Sequence, residues 1–432
     1  MALSPLILFL IFVVFFLVLL FIGWPIAFSM GTAAVVAYLF SGGSLWGNFA
    51  ILTYNAMFNY NLLALPIFVL MGYLLIYGGS TDKLYNGITP LMERLTGGLI
   101  YSNIVANVIL GACCGSTIAA TSAMSTVAIP ELSERGYKKS ISYGSLASGG
   151  CLSALIPPSV GMILFCSITT VSLGSLFIAG IVPGLILAAF FILVSYFWVI
   201  LDPSVVPPKS EKEKAITEDF FFAFKNLWAL ILLIAIILGV IYFGFGTPTE
   251  AGCFGVVGAI VLSVANRKLT WEMLSKSLLL TCKVSGGLLL IIAMASTYGF
   301  ALTALGLRDF LLSALEVLPG PPVIQMHIIF LFLFILGMFM DSAGIIMVMT
   351  PILLPFAVQL GFHPVWSGIF LMLSVQFGNI TPPVGVTLFA VQSISGDSIK
   401  EIARGCLPYW LSFLFSVIVL ILFPSLATLL NF

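Results

Sequence analysis

Apolar runs, each cut short by charges, Gly-Pro signals or polar clusters, divide the chain into two series of blocks. The first series is 4–22, 26–41, 57–78, 97–130, 140–170 and 174–200. The second is 226–243, 247–265, 279–305, 323–360, 366–393 and 403–430. Between them lies a polar segment, Asp202 to Lys225, with "DPSVVPPKSEKEKAITED" at its core. Most blocks have the length of one apolar helix crossing a hydrocarbon layer, about 20 residues. The two series repeat the same lengths in the same order. A shift of 225 residues places Pro157-Pro158 on Pro382-Pro383, Pro130 on Pro355, and Gly136-Tyr137 on Gly361-Phe362. A shift of 223 places Gly23 and Pro25 on Gly246 and Pro248. The pattern predicts an internal duplication.

Two blocks in each half do not fit a single span. Residues 97–130 are 34 consecutive uncharged positions, roughly 51 Å as one straight helix, and two full crossings would need about 40 residues plus a turn. The centre of the block is small and polar: Gly115, Ser116, Thr117, Thr121 and Ser122. Two half-helices of about 15 residues meeting at that tip, inside the membrane, satisfy both the length and the polarity. Block 323–360 repeats the design around Asp341-Ser342-Ala343-Gly344. The following block is interrupted in each half, by "LIPPSVG" (Leu155 to Gly161) and by "NITPPVG" (Asn379 to Gly385). Two successive prolines remove two backbone donors and clash with the preceding turn, so the helix stops and restarts there.

Composition narrows the class. The 432 residues are 61% apolar and 7% charged, with a mean hydropathy of +1.21. Soluble domains carry about a quarter charged residues, so the chain belongs in a lipid bilayer. Zero net charge, two His and no basic run argue against nucleic acid. The cysteines at 113, 114, 151, 166, 253, 282 and 406 form neither a disulfide ladder nor a zinc pattern. Pro5 to Phe21 lacks a preceding cationic segment and a small-residue cleavage site, and reads as a permanent span. The predicted fold is an all-α polytopic membrane protein.

A re-entrant hairpin returns to its own side, so each half crosses five times. Five is odd, which turns the second half over and makes the repeat inverted. Sidedness agrees: Lys83, Arg94, Arg135, Lys138, Lys139, Lys209, Lys212, Lys214, Lys225, Arg267, Lys268, Lys276, Lys283, Lys400 and Arg404 share one face, and Arg308 alone falls on the other. By the positive-inside rule the crowded face is cytoplasmic and both termini are external. "RKLTWEMLSKS" (Arg267 to Ser277) and "LWGNFAILTYNAM" (Leu45 to Met57) read as interfacial helices or plain connections.

Hairpin tips entering from opposite faces, each beside a broken helix, would meet near the midplane. Half-helix N-termini suit a carboxylate; half-helix C-termini and unwound carbonyls suit Na⁺. For the anion the candidates are Ser116, Thr117, Ser159, Ser342 and Thr381. For Na⁺ they are Gly115, Ser116, Gly149, Ser153, Pro157, Asp341, Gly344, Gly378, Asn379, Thr381 and Gly385, with Gly150 and Pro382 at the same breaks. Asp341 is the sharpest, an acid deep in an apolar block; its alternative role is a carboxylate satisfied by local hairpin amides. Glu250 after Pro248 reads as a helix cap. No Arg or Lys is assigned to the midplane, so dipoles and co-bound cations must neutralise an anion. Two half-sites imply two or more Na⁺. An intramembrane hydrolase would need a base beside Ser116, and neither His sits at depth; a channel would need a continuous polar helix face.

These segments resemble the large membrane subunit of tripartite ATP-independent periplasmic (TRAP) transporters across nearly the whole chain. The resemblance rests on "GSTIAATSAMSTVAIPE" (Gly115 to Glu131), "GGCLSALIPPS" (Gly149 to Ser159), "GMFMDSAGIIMVMTPILLP" (Gly337 to Pro355) and "GNITPPVGVTLF" (Gly378 to Phe389). It implies Na⁺-coupled uptake of an organic acid such as a C4-dicarboxylate or sialic acid across the bacterial inner membrane, by an elevator mechanism. It also implies a small four-helix membrane subunit and a soluble periplasmic substrate-binding protein. The corresponding division is scaffold 1–96, transport domain 97–200, cytoplasmic connector 201–225, scaffold 226–322 and transport domain 323–432. A stand-alone Na⁺/dicarboxylate symporter of the related divalent-anion family shares the same plan.

Overall fold

The computed structural model describes residues 12, 14–20, 22–40, 46–208, 216–306, 313, 315 and 319–430. The start of the first apolar run, Lys209, Lys212 and Lys214 of the connector, and Arg308 lie outside the described residues. Everything regular that is described is helical. Residues 14–20 are helical and precede α1 (Ile26–Phe40), α2 (Trp46–Met57), α3 (Ala64–Tyr77) and α4 (Ser80–Met92). The first hairpin is α5 (Gly98–Cys114) and α6 (Thr117–Glu134). The first broken helix is α7 (Lys139–Gly150) and α8 (Val160–Ser167), followed by α9 (Leu173–Leu201). The second half supplies α10 (Ile216–Tyr242), α11 (Pro248–Ala265) and α12 (Trp271–Ala304). It ends with the hairpin α13 (Pro322–Phe339) and α14 (Ser342–Gln359), the broken helix α15 (Pro364–Asn379) and α16 (Val386–Ser395), and α17 (Ile399–Leu422). Among the described residues eight helices are long and apolar enough to cross a membrane, which makes the chain a multi-pass membrane protein.

Element boundaries repeat with the register read from the sequence. α6 and α14 begin and end 225 residues apart, α7 and α15 begin 225 apart, and α5 and α13 end 225 apart. The stop signals repeat too. Gly136 and Gly361 take φ of 79° and 89°, and Tyr137 N–H to Leu132 O (3.0 Å) matches Phe362 N–H to Ala357 O (2.9 Å). Both are glycine C-caps of the Schellman type, which satisfy carbonyls the helix leaves free. At α11, Thr247 and Glu250 form a reciprocal capping box, the role expected of Glu250.

Three elements differ from the sequence expectation. The hairpin arms have 17, 18, 18 and 18 residues rather than about 15, because helix continues to Cys114 and Phe339 and only two residues turn each tip. Each arm reaches about 26 Å. Arg267 to Ser277 is not a separate helix: a turn through Arg267 (φ 55°) leads into the Thr270 N-cap, and α12 runs unbroken for 34 residues. The polar connector is shorter than 201–225, since α10 is helical from Ile216. Helix already nucleated extends cheaply in both places.

The helices pack as two groups. α1 to α4 pack with α10, α11 and α12, while α5 to α9 pack with α13 to α17. Within the second group the halves exchange partners: α6 packs on α16 and α14 on α8, and α7 packs on α17 and α9 on α15. Such reciprocal pairing is what a two-fold relation between halves produces. Small residues allow it. A Cβ on Gly144 would lie 2.0 Å from the Gly405 carbonyl oxygen, and one on Gly378 would lie 2.3 Å from the Gly337 carbonyl carbon. These backbones touch because no side chain separates them.

Candidate functional site

A cleft of about 980 Å³ runs between the two groups. One wall is α12, whose Leu280, Lys283, Val284, Gly287, Leu288 and Ile291 recur at helical spacing, with Tyr73, Tyr77, Thr81 and Asp82 beside it. The other wall is the inner surface of the second group, including both hairpin tips.

Four helices begin at this wall. Thr117, Val160, Ser342 and Val386, the first residues of α6, α8, α14 and α16, all line the cleft. An unfinished helix N-terminus carries free N–H groups and about half a positive charge. The Pro-Pro breaks and the two tips therefore bring helix-end N–H groups into an apolar interior, those of α14 already engaged by Asp341. The charged lining residues are Asp82, Lys283 and Asp341. Lys283, which the sequence places at the cytoplasmic end of its span, lines the cleft from α12.

The two tips hold equivalent positions with different chemistry. Ser116 is the N-cap of α6 and Asp341, 225 residues later, is the N-cap of α14. Ser116 Oγ accepts the Ala119 N–H at 3.4 Å. Asp341 Oδ1 accepts the Ala343 N–H at 2.6 Å and the Gly344 N–H at 3.2 Å. Local amides thus engage one Asp341 oxygen, as its alternative role required, and the residue still lines the cleft. The second tip is capped by its own anion, and the first is left with a neutral hydroxyl.

Of the sequence candidates, Gly115, Ser116, Thr117, Ser159, Asp341, Ser342 and Asn379 line the cleft. Gly149, Gly150, Ser153, Pro157, Gly344, Gly378, Thr381, Pro382 and Gly385 do not. Several of these serve packing. A Cβ on Gly150 would meet Thr121 Oγ1 at 1.8 Å, and one on Gly344 would meet Ile26 Cδ1 at 1.9 Å. Gly149 sits against Asn107, and Gly385 takes φ 56° beneath Leu388. Ser153 donates to the Gly150 carbonyl at 2.7 Å, Ser159 to Ala154 at 2.8 Å, and Thr381 to Phe377 at 2.9 Å. Pro157 and Thr381 are buried at the two breaks behind the tips. The breaks are also sewn to the tips: Val160 N–H donates to Gly115 O and Val384 N–H to Met338 O, both at 3.0 Å.

Gln376, on α15 ahead of the second break, went unrecognised in the sequence. It is 2% exposed and lines the cleft. Its Oε1 receives the Asn379 Nδ2 hydrogen at 2.9 Å and lies 3.4 Å from Thr117 Oγ1; its Nε2 is 3.3 Å from Ser342 Oγ. Asn379 Nδ2 also donates to Ser342 Oγ at 2.8 Å, while Asn379 Oδ1 has no hydrogen-bond partner among the described residues. An amide inside an apolar membrane helix, one turn before Asn379, was the available signal.

The architecture is a multi-pass helical bundle with broken helices around a central cleft. Residues 13–426 match the model of the family described as "Tripartite ATP-independent periplasmic transporter, DctM component", and the chain belongs to that family. Over 401 residues it is 33% identical to the C4-dicarboxylate TRAP transporter large permease protein DctM of Pseudomonas aeruginosa, covering 92% of each chain. It is 28% identical to the sialic acid TRAP transporter large permease protein SiaM of Vibrio cholerae, over 95% of this chain and 96% of that one. Among solved structures, the Alcanivorax borkumensis YdaH transporter shares the fold with a TM-score of 0.60 at 15% identity, over 95% of this chain and 97% of that one. The chain is therefore the large permease subunit of a TRAP transporter.

Proposed function

We propose that this subunit carries an organic acid anion inward together with two or more Na⁺. The observation that carries the anion is the convergence on one cleft of three helix N-termini with neutral caps, those of α6, α8 and α16. Relatives named for C4-dicarboxylate and sialic acid transport support an organic acid as the cargo. Na⁺ prefers oxygen donors, and the free oxygens beside the tips are the second Asp341 carboxylate oxygen, Asn379 Oδ1 and carbonyls at the breaks. Moving one negative charge inward against 100 mV costs about 2.3 kcal/mol. One Na⁺ cancels that for a monoanion, and a second makes the cycle favourable.

The reciprocal packing of the two halves and their odd number of crossings support an inverted repeat. α1 to α4 and α10 to α12 then form the scaffold, and the second group forms the body that slides along it as an elevator. Asp82 and Lys283 line the same cleft, on the face the positive-inside rule makes cytoplasmic. The structure would then be open inward, with both termini periplasmic in the bacterial inner membrane. A small four-helix membrane subunit and a periplasmic substrate-binding protein complete the transporter by family.

Proteoliposomes holding the three-part transporter test this with labelled succinate and sialic acid at imposed voltages. Uptake that needs the binding protein and inward Na⁺, and that speeds up with inside-negative voltage, is expected. Uptake without the binding protein would instead favour a stand-alone symporter, and voltage-independent uptake would overturn the ion count.

A further inference from the structure

The halves meet at one point where a residue and its repeat mate touch. Cys151 Sγ lies 3.6 Å from the Gln376 carbonyl oxygen, and the two positions are separated by 225 residues, the register of the repeat. Positions related by a two-fold operation come into contact only beside its axis. Gln376 is therefore within reach of both halves, and its mate Cys151 carries no side chain able to bridge them. The carboxamide makes that bridge alone. On one side stands Thr117 Oγ1 of the first tip at 3.4 Å; on the other stands Ser342 Oγ of the second tip at 3.3 Å.

We propose that Gln376 is the positioning residue that couples the two hairpin tips, so that ligation of one half-site is felt at the other. A proton count shows how. With the amides oriented as the network requires, Gln376 Oε1 takes the Thr117 hydroxyl proton and an Asn379 N–H. Ser342 Oγ accepts from Gln376 Nε2 and Asn379 Nδ2, which fills its two acceptor positions and leaves its own hydrogen to donate. Thr117 is thereby held as a donor to the bridge, its oxygen facing the Ser153 hydroxyl at 3.5 Å while that hydroxyl donates more closely to Gly150 O at 2.7 Å, and Ser342 is held as a donor toward the cleft. Drawing Thr117 toward a cation at the first tip pulls the same amide that sets Ser342 at the second. Both bridging distances exceed the usual hydrogen-bond length, so closure on ligands has room to shorten them.

This inference rests on Na⁺ binding at the tips, and the test separates the two. The transporter in lipid nanodiscs is melted across a titration of NaCl, with choline chloride holding ionic strength constant. Wild type is expected to gain stability along a curve steeper than one-site binding. Gln376→Leu should move the midpoint up by about tenfold and flatten the curve to one-site steepness. Gln376→Asn, whose amide is one methylene shorter and cannot span both tips, should flatten it equally and decides the matter if Gln376→Leu fails to fold. A merely structural amide would lower the melting temperature at every Na⁺ concentration and leave the steepness alone; that result overturns the coupling while Na⁺ binding stands. Stability indifferent to Na⁺ in wild type would overturn Na⁺ binding and the coupling with it.

Discussion

Asp341 combines two roles that substitution can part. As an N-cap its carboxylate accepts two backbone N–H groups at the start of α14, and asparagine caps a helix about as well as aspartate. Asp341→Asn therefore preserves the turn while deleting the charge. Membrane expression is expected to stay near wild type while Na⁺-driven uptake falls by about tenfold or more; uptake at the wild-type rate would remove Asp341 from the cation site. The sequence exposed this residue because an acid in an apolar block is costly. The 225-residue register already sets Ser116 opposite it, but that both cap the second arm of their hairpin was visible only in the structure. Gln376 stayed hidden for a related reason: its meaning comes from Thr117 and Ser342, which lie 259 and 34 residues away.

Between helices, the decisive contacts are backbone on backbone. Gly144 on α7 faces Gly405 on α17, and a Cβ on Gly405 would lie 2.0 Å from the Ser140 carbonyl oxygen. Gly144→Ala must push the helices apart, at a cost of about 1–3 kcal/mol by analogy with overpacked cores. Gly286, inside α12, has nothing within 4 Å of an added Cβ. Gly286→Ala should leave stability unchanged or raise it by up to about 1 kcal/mol, because alanine loses less conformational freedom in a helix. Thermal unfolding of the two variants should move in opposite directions or leave Gly286→Ala level with wild type. The Pro-Pro breaks and polar tips were legible, since each violates a local rule of helix continuation. Arm length and the fusion of 271–277 into α12 were not, because helix termination there depends on what the last turn packs against.

Across the molecule, the second group is also tied at its rim. Lys139, at the start of α7, pairs with Asp397, ahead of α17, at 2.8 Å, and the Tyr143 hydroxyl donates to the other Asp397 oxygen. The hydrogen bond from the Lys139 ammonium, then that from Tyr143, holds the Asp397 carboxyl below its ordinary range. A depressed carboxyl favours the folded state above its unfolded pKa, and that support fades as pH falls through the folded value. Asp397→Asn should therefore melt below wild type at neutral pH, with the difference shrinking as pH falls below about 4; a constant difference would show that charge is not the cause. The cleft makes an orientational prediction as well. With the exposed Cys253 and Cys282 replaced by serine, Lys283→Cys should react with a membrane-impermeant maleimide in inside-out vesicles and not in right-side-out ones, and the reverse would overturn the inward-open assignment. Apolar periodicity, broken by proline and polar residues, determined the membrane location, the duplicated plan and most tip residues, because desolvating a polar backbone or a charge is costly wherever it occurs. Only the tertiary structure decided which tip residues share a cleft, which glycines serve packing, and that Gln376 joins both halves. Those outcomes depend on distances between segments hundreds of residues apart, which close approach of the backbones sets and no local pattern encodes.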